Sequence, residues 1–386
     1  MMRREFLGTL ALGVSGLVSD GRAAETAPAA GRWTAPTEPS QPEILVVSER
    51  AQSLHKKAMI IDGHNDSLIE HWARKESMDL AKDWPAYQAD LGRMKAGGLT
   101  GMNSMVGGHD LVQCLELWAG RYENANQHPD DFLLIDSPGD IVRAKREGKV
   151  GLIGQLEGCR LLANRLRLLD VMYKLGLRVA GLTHGEGGGE HDLQGAKSSF
   201  GFCTLADRQT ARKDLPGLTA FGREAVREMN RLGIVIDLAH CQDATFFEAI
   251  ELSKAPVQFS HGNMFALSPH WRNLTNDQLT ALKVNGGVIG LATCPDFVDP
   301  DPPKRTMQRF VDHIEYVCQR IGDDHVGFGS DYDGMTSAPV IRSYAETRQI
   351  TQIMLDRGFS EETILKFWGG NFFRVMHRAS LSRPGG

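Results

Sequence analysis

Seven side chains able to bind a metal or move a proton follow short apolar runs in this chain: His64, Asp66, Glu157, His184, His240, His261 and Asp331. Imidazoles and carboxylates without thiolates suit zinc, and suit an open reactive site better than a closed structural one. His64-Asn65-Asp66 sets two ligands two residues apart, where both can turn to one ion. His240 and His261 end consecutive apolar runs and suit a second ion, and Glu157, with two oxygens, can bridge the pair. Two ions about 3.5–4 Å apart hold a bridging hydroxide as nucleophile and polarise a carbonyl. Asp331 then remains to take a proton from water and pass it to a leaving amine. His184 suits the oxyanion of a tetrahedral intermediate. The chemistry expected is metal-assisted hydrolysis of an amide.

These residues meet only if one fold collects them. The apolar runs read as strands over Ala58–Asp62, Leu99–Val106, Gly151–Leu156, Val179–Thr183, Ile234–Ala239, Val257–Ser260, Gly287–Thr293 and Val326–Ser330. Unbroken apolar runs mark strands covered on both faces, as in parallel sheets. Helical stretches alternate with them. Thr219 is placed to cap a helix with Phe221, Ala225, Met229 and Leu232 on its inner face and Gly233 as its stop. Thr275-Asn276-Asp277-Gln278 forms a capping box, with Gly286 ending that helix, and Ser360 is expected to cap the last helix, which carries Ile364, Phe367 and Trp368. The pattern predicts an α/β fold, a (β/α)8 TIM-type barrel, whose active site lies at the C-terminal ends of the strands. The site residues fall at those ends. An open doubly wound sheet is the competing architecture.

The remaining composition is that of a globular protein. Of 386 residues, 41% are apolar and 24% charged, with a net charge of −5, so no basic surface marks a nucleic-acid partner. Residues 1–24 read as a signal peptide: Arg3-Arg4 before Phe6-Leu7, a short apolar run and small residues at Ala23-Ala24. The paired arginines are of the twin-arginine type, which predicts a periplasmic or secreted protein. Residues 25–41, rich in Ala, Pro and Thr, are expected to be a disordered linker, and 42–386 a single metallohydrolase domain. The polar C-terminus argues against a lipid anchor, so no membrane attachment is expected once the signal is cleaved. None of the six cysteines forms a Cys-x-x-Cys pair; disulfides and buried thiols both fit an exported chain. His55, His71, His109, His128, His270, His313, His325 and His377 read as surface or packing residues, and Asp333 as a turn former rather than a support behind the site, by a narrow margin.

From Ala58 to Arg378 the chain resembles the membrane (renal) dipeptidase family of binuclear zinc peptidases. The resemblance rests on Ile61-Asp62-Gly63-His64-Asn65-Asp66, Leu156-Glu157-Gly158 and Leu182-Thr183-His184. It continues in Asp237-Leu238-Ala239-His240, Phe259-Ser260-His261, Arg272-Asn273 and Gly327-Phe328-Gly329-Ser330-Asp331-Tyr332-Asp333-Gly334. It implies two Zn2+ ions, one on His64 and Asp66, the other on His240 and His261, bridged by Glu157. It implies that His184 contacts the substrate near the scissile carbonyl and that Asp331 acts on the catalytic water and the leaving nitrogen. Arg272 would hold a substrate oxygen, the terminal carboxylate, a task that suits a guanidinium fork. The substrate implied is a dipeptide, with a D-residue tolerated at the C-terminal position, and the quaternary state implied is a homodimer.

This sequence departs from the family in two loops. Ala292-Thr293-Cys294-Pro295 lacks the tyrosine expected near it, and Gly185 to Asp192 is glycine-rich and acidic where the family carries a disulfide cysteine. The second loop reads equally as a mobile lid and as a solvated loop. These departures leave two other functions open: the same metal site acting on a specialised amide (an N-acyl amino acid, a lactam or a peptide-derived metabolite), and a non-catalytic exported binding or maturation protein. A phosphotriesterase-like amidohydrolase ranks below these, because it would begin with His-x-His.

Overall fold

A computed structural model of the chain describes residues 45–107, 110–184, 217–335 and 337–383. Within them, nine parallel strands form one sheet: β1 (Ile60–Asn65), β2 (Leu99–Met105), β3 (Phe132–Ile135), β4 (Val150–Leu156), β5 (Leu177–Gly181), β6 (Val235–Asp237), β7 (Gln258–Phe259), β8 (Val288–Leu291) and β9 (Val326–Phe328). β9 pairs with β1, and β2 pairs with β4, so β1, β2 and β4 to β9 close into an eight-stranded barrel. Helices pack around it, giving the (β/α)8 architecture; closure excludes the open sheet.

The strand that the pattern did not disclose is β3. It pairs with Val150 to Ile153 on the edge of β4 opposite β2, and β5 takes over that same edge from Gly154 onward. β3 therefore lies beside the ring at its N-terminal rim. Four residues, the middle two only half-buried, carry too little apolar alternation to be read against the helices on either side.

Helix starts and stops follow the local chemistry. Thr219 Oγ1 accepts from Gly222 N at 2.9 Å ahead of helix Ala220–Leu232, and Gly233 ends it at φ 71°. The Thr275/Gln278 capping box opens helix Asn276–Asn285, and Gly286 closes it. The C-terminus corrects the expectation. Ser360 caps only Glu361–Leu365; Phe367 and Trp368 lie in a wider turn after it, and a further helix, Asn371–Ser380, ends the described chain. That last helix plugs the barrel. Phe372 reaches between β1, β8 and β9, where a Cβ at Gly63 would come within 2.5 Å of its ring and one at Gly327 within 2.6 Å. Above it the Ser260 carbonyl lies 1.9 Å from where Gly329 would carry a Cβ. Glycine at these positions lets the barrel interior fill with one ring and one backbone turn, the floor on which the site stands.

His55 and His313 are packing residues, as expected, and both are fully buried. His313 accepts from Met264 N on Nδ1 (3.1 Å) and donates from Nε2 to the Val298 carbonyl (2.8 Å), tying the loops after β7 and β8 together. Burial pushes it down to about 4. A histidine neutral when folded and titrating near 6.5 when unfolded contributes stability above pH 6.5, lost as pH falls towards 4. The shift amounts to about 3 kcal/mol over that window. Wild-type protein should therefore lose melting temperature between pH 6.5 and 4 more steeply than His313→Gln, as checked by thermal unfolding along a pH series. Parallel slopes would refute this.

No disulfide joins any two of the five cysteines among the described residues. No described helix is long and apolar enough to cross a membrane. The expected signal peptide (1–24), the linker (25–41), Cys203 and the glycine-rich stretch after His184 lie outside the described residues.

Candidate metal centre

The barrel brings all seven sequence-selected residues to one mouth. His64 is the residue before the last of β1, and Asp66 follows the strand. Glu157 follows β4, His184 follows β5, His240 follows β6, His261 follows β7 and Asp331 follows β9. Glu157 is the hub. Its Oε1 lies 3.0 Å from His240 Nε2 and 3.4 Å from both His64 Nε2 and His261 Nε2; its Oε2 lies 3.5 Å from His184 Nε2. Asp66 Oδ2 is 3.3 Å from His64 Nε2, and the Nε2 atoms of His240 and His261 are 3.2 Å apart. Three overlapping sets have the spacing of metal ligands: His64, Asp66 and Glu157; Glu157, His240 and His261; and His64, His261 and Asp331. The first two share Glu157, as a bridging carboxylate requires. His184 reaches the cluster from its open side, about one-third exposed, with its ring edge-on to His240.

Backbone geometry holds the carboxylates in place. Asp66 N donates to the Tyr332 carbonyl (2.9 Å) and Asp331 N to the His64 carbonyl (3.2 Å), lacing the end of β1 to the end of β9. His240 and Asp331 both adopt positive φ, 65° and 62°. Non-glycine residues in that region store about 1–3 kcal/mol of strain and cluster at functional sites. Gly334 lies against both acids; a Cβ there would stand 1.9 Å from Asp66 Oδ2.

The electrostatics call for a cation. Burial, with Arg272 as the next cause, holds His240 well below 6.5; burial, with His64 and Arg272, does the same for His261, so both offer lone pairs at neutral pH. Burial would raise Glu157, but His184, His64 and His240 outweigh it and hold the carboxylate well below its usual range. Burial works against protonation of His64, yet Asp66 and Glu157 override it and hold that imidazole well above 6.5. Without an ion, a proton takes the ion's place between those acids, so metal uptake should release it and weaken in acid. His64 Nε2 and Asp66 Oδ1 are buried without hydrogen-bond partners. An unpartnered imidazole nitrogen and carboxylate oxygen beside the neutral rings of His240 and His261 are what a divalent ion satisfies, and the donor set fits zinc.

Asp331, buried beside the cluster, is pushed up to about 7 by burial, helped by Asp66 and Glu157 and opposed by His64 and Arg272. Arg272 is buried behind it. Nη2 donates to the His261 carbonyl at 3.4 Å, the guanidinium carbon lies 5.6 Å from the Phe297 ring centre, and Nη1 has no hydrogen-bond partner.

The family model for membrane dipeptidase, peptidase family M19, matches residues 48–384. The chain belongs to the membrane dipeptidase family. Membership makes it an enzyme, a metal-dependent peptidase. Among curated relatives, the dipeptidase ataJ of Aspergillus terreus is 31% identical over 357 residues, 85% of this chain and 86% of that protein. The dipeptidase tcpJ of Claviceps purpurea is 36% identical over 270 residues, 69% of this chain but only 58% of that protein's length. A metallopeptidase of Rhodobacter sphaeroides, solved with a phosphinate mimic of the dipeptide L-Ala-D-Ala, superposes with a TM-score of 0.73 at 24% identity, covering 83% of this chain and 99% of that one.

Beneath the candidate ligands lie polar residues whose role does not show in the sequence pattern. Asp62 accepts from Ser330 N (2.7 Å), Ser330 Oγ (2.5 Å), Tyr344 Oη and His64 N (3.2 Å). Asp333 is a turn former at φ 66°, as expected, and it also accepts from Ser67 Oγ (2.6 Å) and Gln88 N (2.7 Å). Gln155 and Asp237 join a second network under His64. The available signal was a polar side chain inside an apolar strand run, which must find a partner there.

Proposed function

We propose that this chain hydrolyses dipeptides, including those with a C-terminal D-residue, at two zinc ions bridged by Glu157. The observation that carries the reading is Arg272 Nη1, a buried guanidinium donor without a partner beside a carboxylate–imidazole cluster. Such a donor selects a small substrate bearing a carboxylate near its scissile bond. The dipeptide mimic held by the Rhodobacter protein supports the same substrate class.

His64 and Asp66 would hold one ion and His240 and His261 the other, with Glu157 between. Bound there, the ions supply a polarised carbonyl and a water acidified to near-neutral pKa. The residues do the rest. Arg272 fixes the substrate carboxylate and with it the position of the peptide bond. His184, on the open side of Glu157, donates from Nε2 to the carbonyl oxygen as charge builds there. Asp331 accepts the proton of the attacking water and delivers it to the departing nitrogen as the C–N bond breaks, so the carboxylate is regenerated.

The test compares a dipeptide with its C-terminal amide. Wild-type enzyme should prefer the free acid by about 100-fold or more in kcat/KM, the scale of losing one partner of a buried charge pair. Arg272→Lys should erase most of that preference. Equal turnover of acid and amide by the wild type would contradict the assignment.

A further inference from the structure

We propose that Asp237, acting through Gln155, decides which ring nitrogen of His64 carries the proton and so arms that imidazole as a metal ligand. Asp237 is a positioning residue. It ends β6, is 1% exposed, and forms no ion pair among the described residues. Four N–H groups satisfy its carboxylate instead. Gln155 Nε2 (2.7 Å) and Gln258 Nε2 (3.1 Å) reach Oδ2; Ala239 N (3.0 Å) and Ser260 N (2.9 Å) reach Oδ1. The two backbone donors immediately precede His240 and His261.

An ionised carboxylate only accepts, so the Gln155 amide has one allowed orientation: Nε2 towards Asp237 and Oε1 away from it. Oε1 then faces His64 Nδ1 at 2.9 Å. An amide oxygen also only accepts, so Nδ1 must carry the hydrogen, and the neutral ring is left with its lone pair on Nε2. That is the atom aimed at Asp66 and Glu157. The relay therefore runs from a buried acid on β6, through an amide on β4, to a ligand on β1. Partners behind a metal-bound histidine commonly alter metal affinity 10–100-fold.

Asp237→Asn is nearly isosteric and breaks this logic on one side only. The backbone N–H groups of Ala239 and Ser260 cannot turn, so the Asn oxygen stays with them and its NH2 faces Gln155. Gln155 must then flip, presenting its own NH2 to His64 Nδ1 and moving the ring hydrogen to Nε2. The site built on His240 and His261 keeps its support. Exchanging the two groups, with Gln155→Glu in the Asp237→Asn background, gives Nδ1–H an acceptor again and restores the tautomer.

The inference rests on the two-zinc reading, and one experiment separates the two. Zinc is titrated against a chromophoric chelator with wild type, Asp237→Asn, Gln155→Met and the Asp237→Asn/Gln155→Glu double variant, folding being checked by circular dichroism. The expected result is two zinc ions on wild type, one of them weakened about 10–100-fold in both single variants, and recovery to within a few-fold of wild type in the double. Gln155→Met serves if Asp237→Asn does not fold, because Asp237 keeps three of its donors. Unchanged zinc affinity in the single variants, or a folded double variant no better than Asp237→Asn, overturns the relay. Fewer than two zinc ions on wild type overturns the underlying site instead, and the relay with it.

Discussion

Glu157→Gln should leave a folded barrel that no longer retains both metal ions, with dipeptide turnover lower by about four orders of magnitude, ~5.5 kcal/mol in transition-state terms. Glu157 Oε1 is the atom towards which three imidazoles from β1, β6 and β7 converge. A glutamine keeps the shape, but it carries one acceptor oxygen and no charge. Its NH2 would face either His184 or the three converging imidazoles, and neither arrangement bridges two cations. The check is thermal unfolding with and without zinc. An ion that binds only the folded state raises the melting temperature by mass action. Wild type should show a large zinc-dependent rise and Glu157→Gln little of it, with similar metal-free midpoints. A variant that gains as much from zinc as wild type would remove Glu157 from the bridge.

Asp331→Asn should behave in the opposite way: zinc retained, kcat reduced by about 100- to 10,000-fold, the range for loss of a general acid–base group. Asparagine suits the test because it is among the few residues that accept the positive φ found here, so the loop after β9 should keep its course. What disappears is a carboxylate whose proton affinity lies near neutrality. Burial raises Asp331 to about 7 before metal binds, and bound cations would draw it back down. Activity that needs it ionised therefore falls as pH drops through its pKa. The acid limb of the wild-type pH–rate profile should vanish in the variant, whose residual rate would be flat where the wild type declines. An unchanged acid limb, or kcat within a few-fold of wild type, would assign the proton transfer elsewhere.

The candidate site residues stand out in the sequence because the fold fixes where chemistry must sit. His64, Asp66, Glu157, His240, His261 and Asp331 each follow an apolar run, and a parallel barrel sends every such position to the same mouth. Pairings across β1, β9 and the loops beyond them carry the rest, and these depend on three-dimensional neighbours. β3 escaped notice because four residues, only the outer two of them buried, have no period to detect. Phe372 gave no sign that it would fill the barrel, since its partners are glycines on β1, β8 and β9, distant in sequence and without side chains to form a pattern. Gln155 and Asp237 stand inside the runs read as strands. A polar residue there was visible, but its partner lies on another strand, and only the hydrogen bonds show that the two form one network. Ser360 was recognised as a cap, yet the break after Leu365 and the helix beyond it follow from packing against the barrel floor rather than from a terminal signal.

The most direct test of the central claim is the zinc content of the purified chain, measured by elemental analysis before and after chelation, with dipeptide turnover followed on the same samples. Two zinc ions per chain, turnover lost on chelation and both restored together by added zinc are the predicted result. One ion or none at saturating zinc, or turnover indifferent to chelation, would contradict a centre bridged by Glu157.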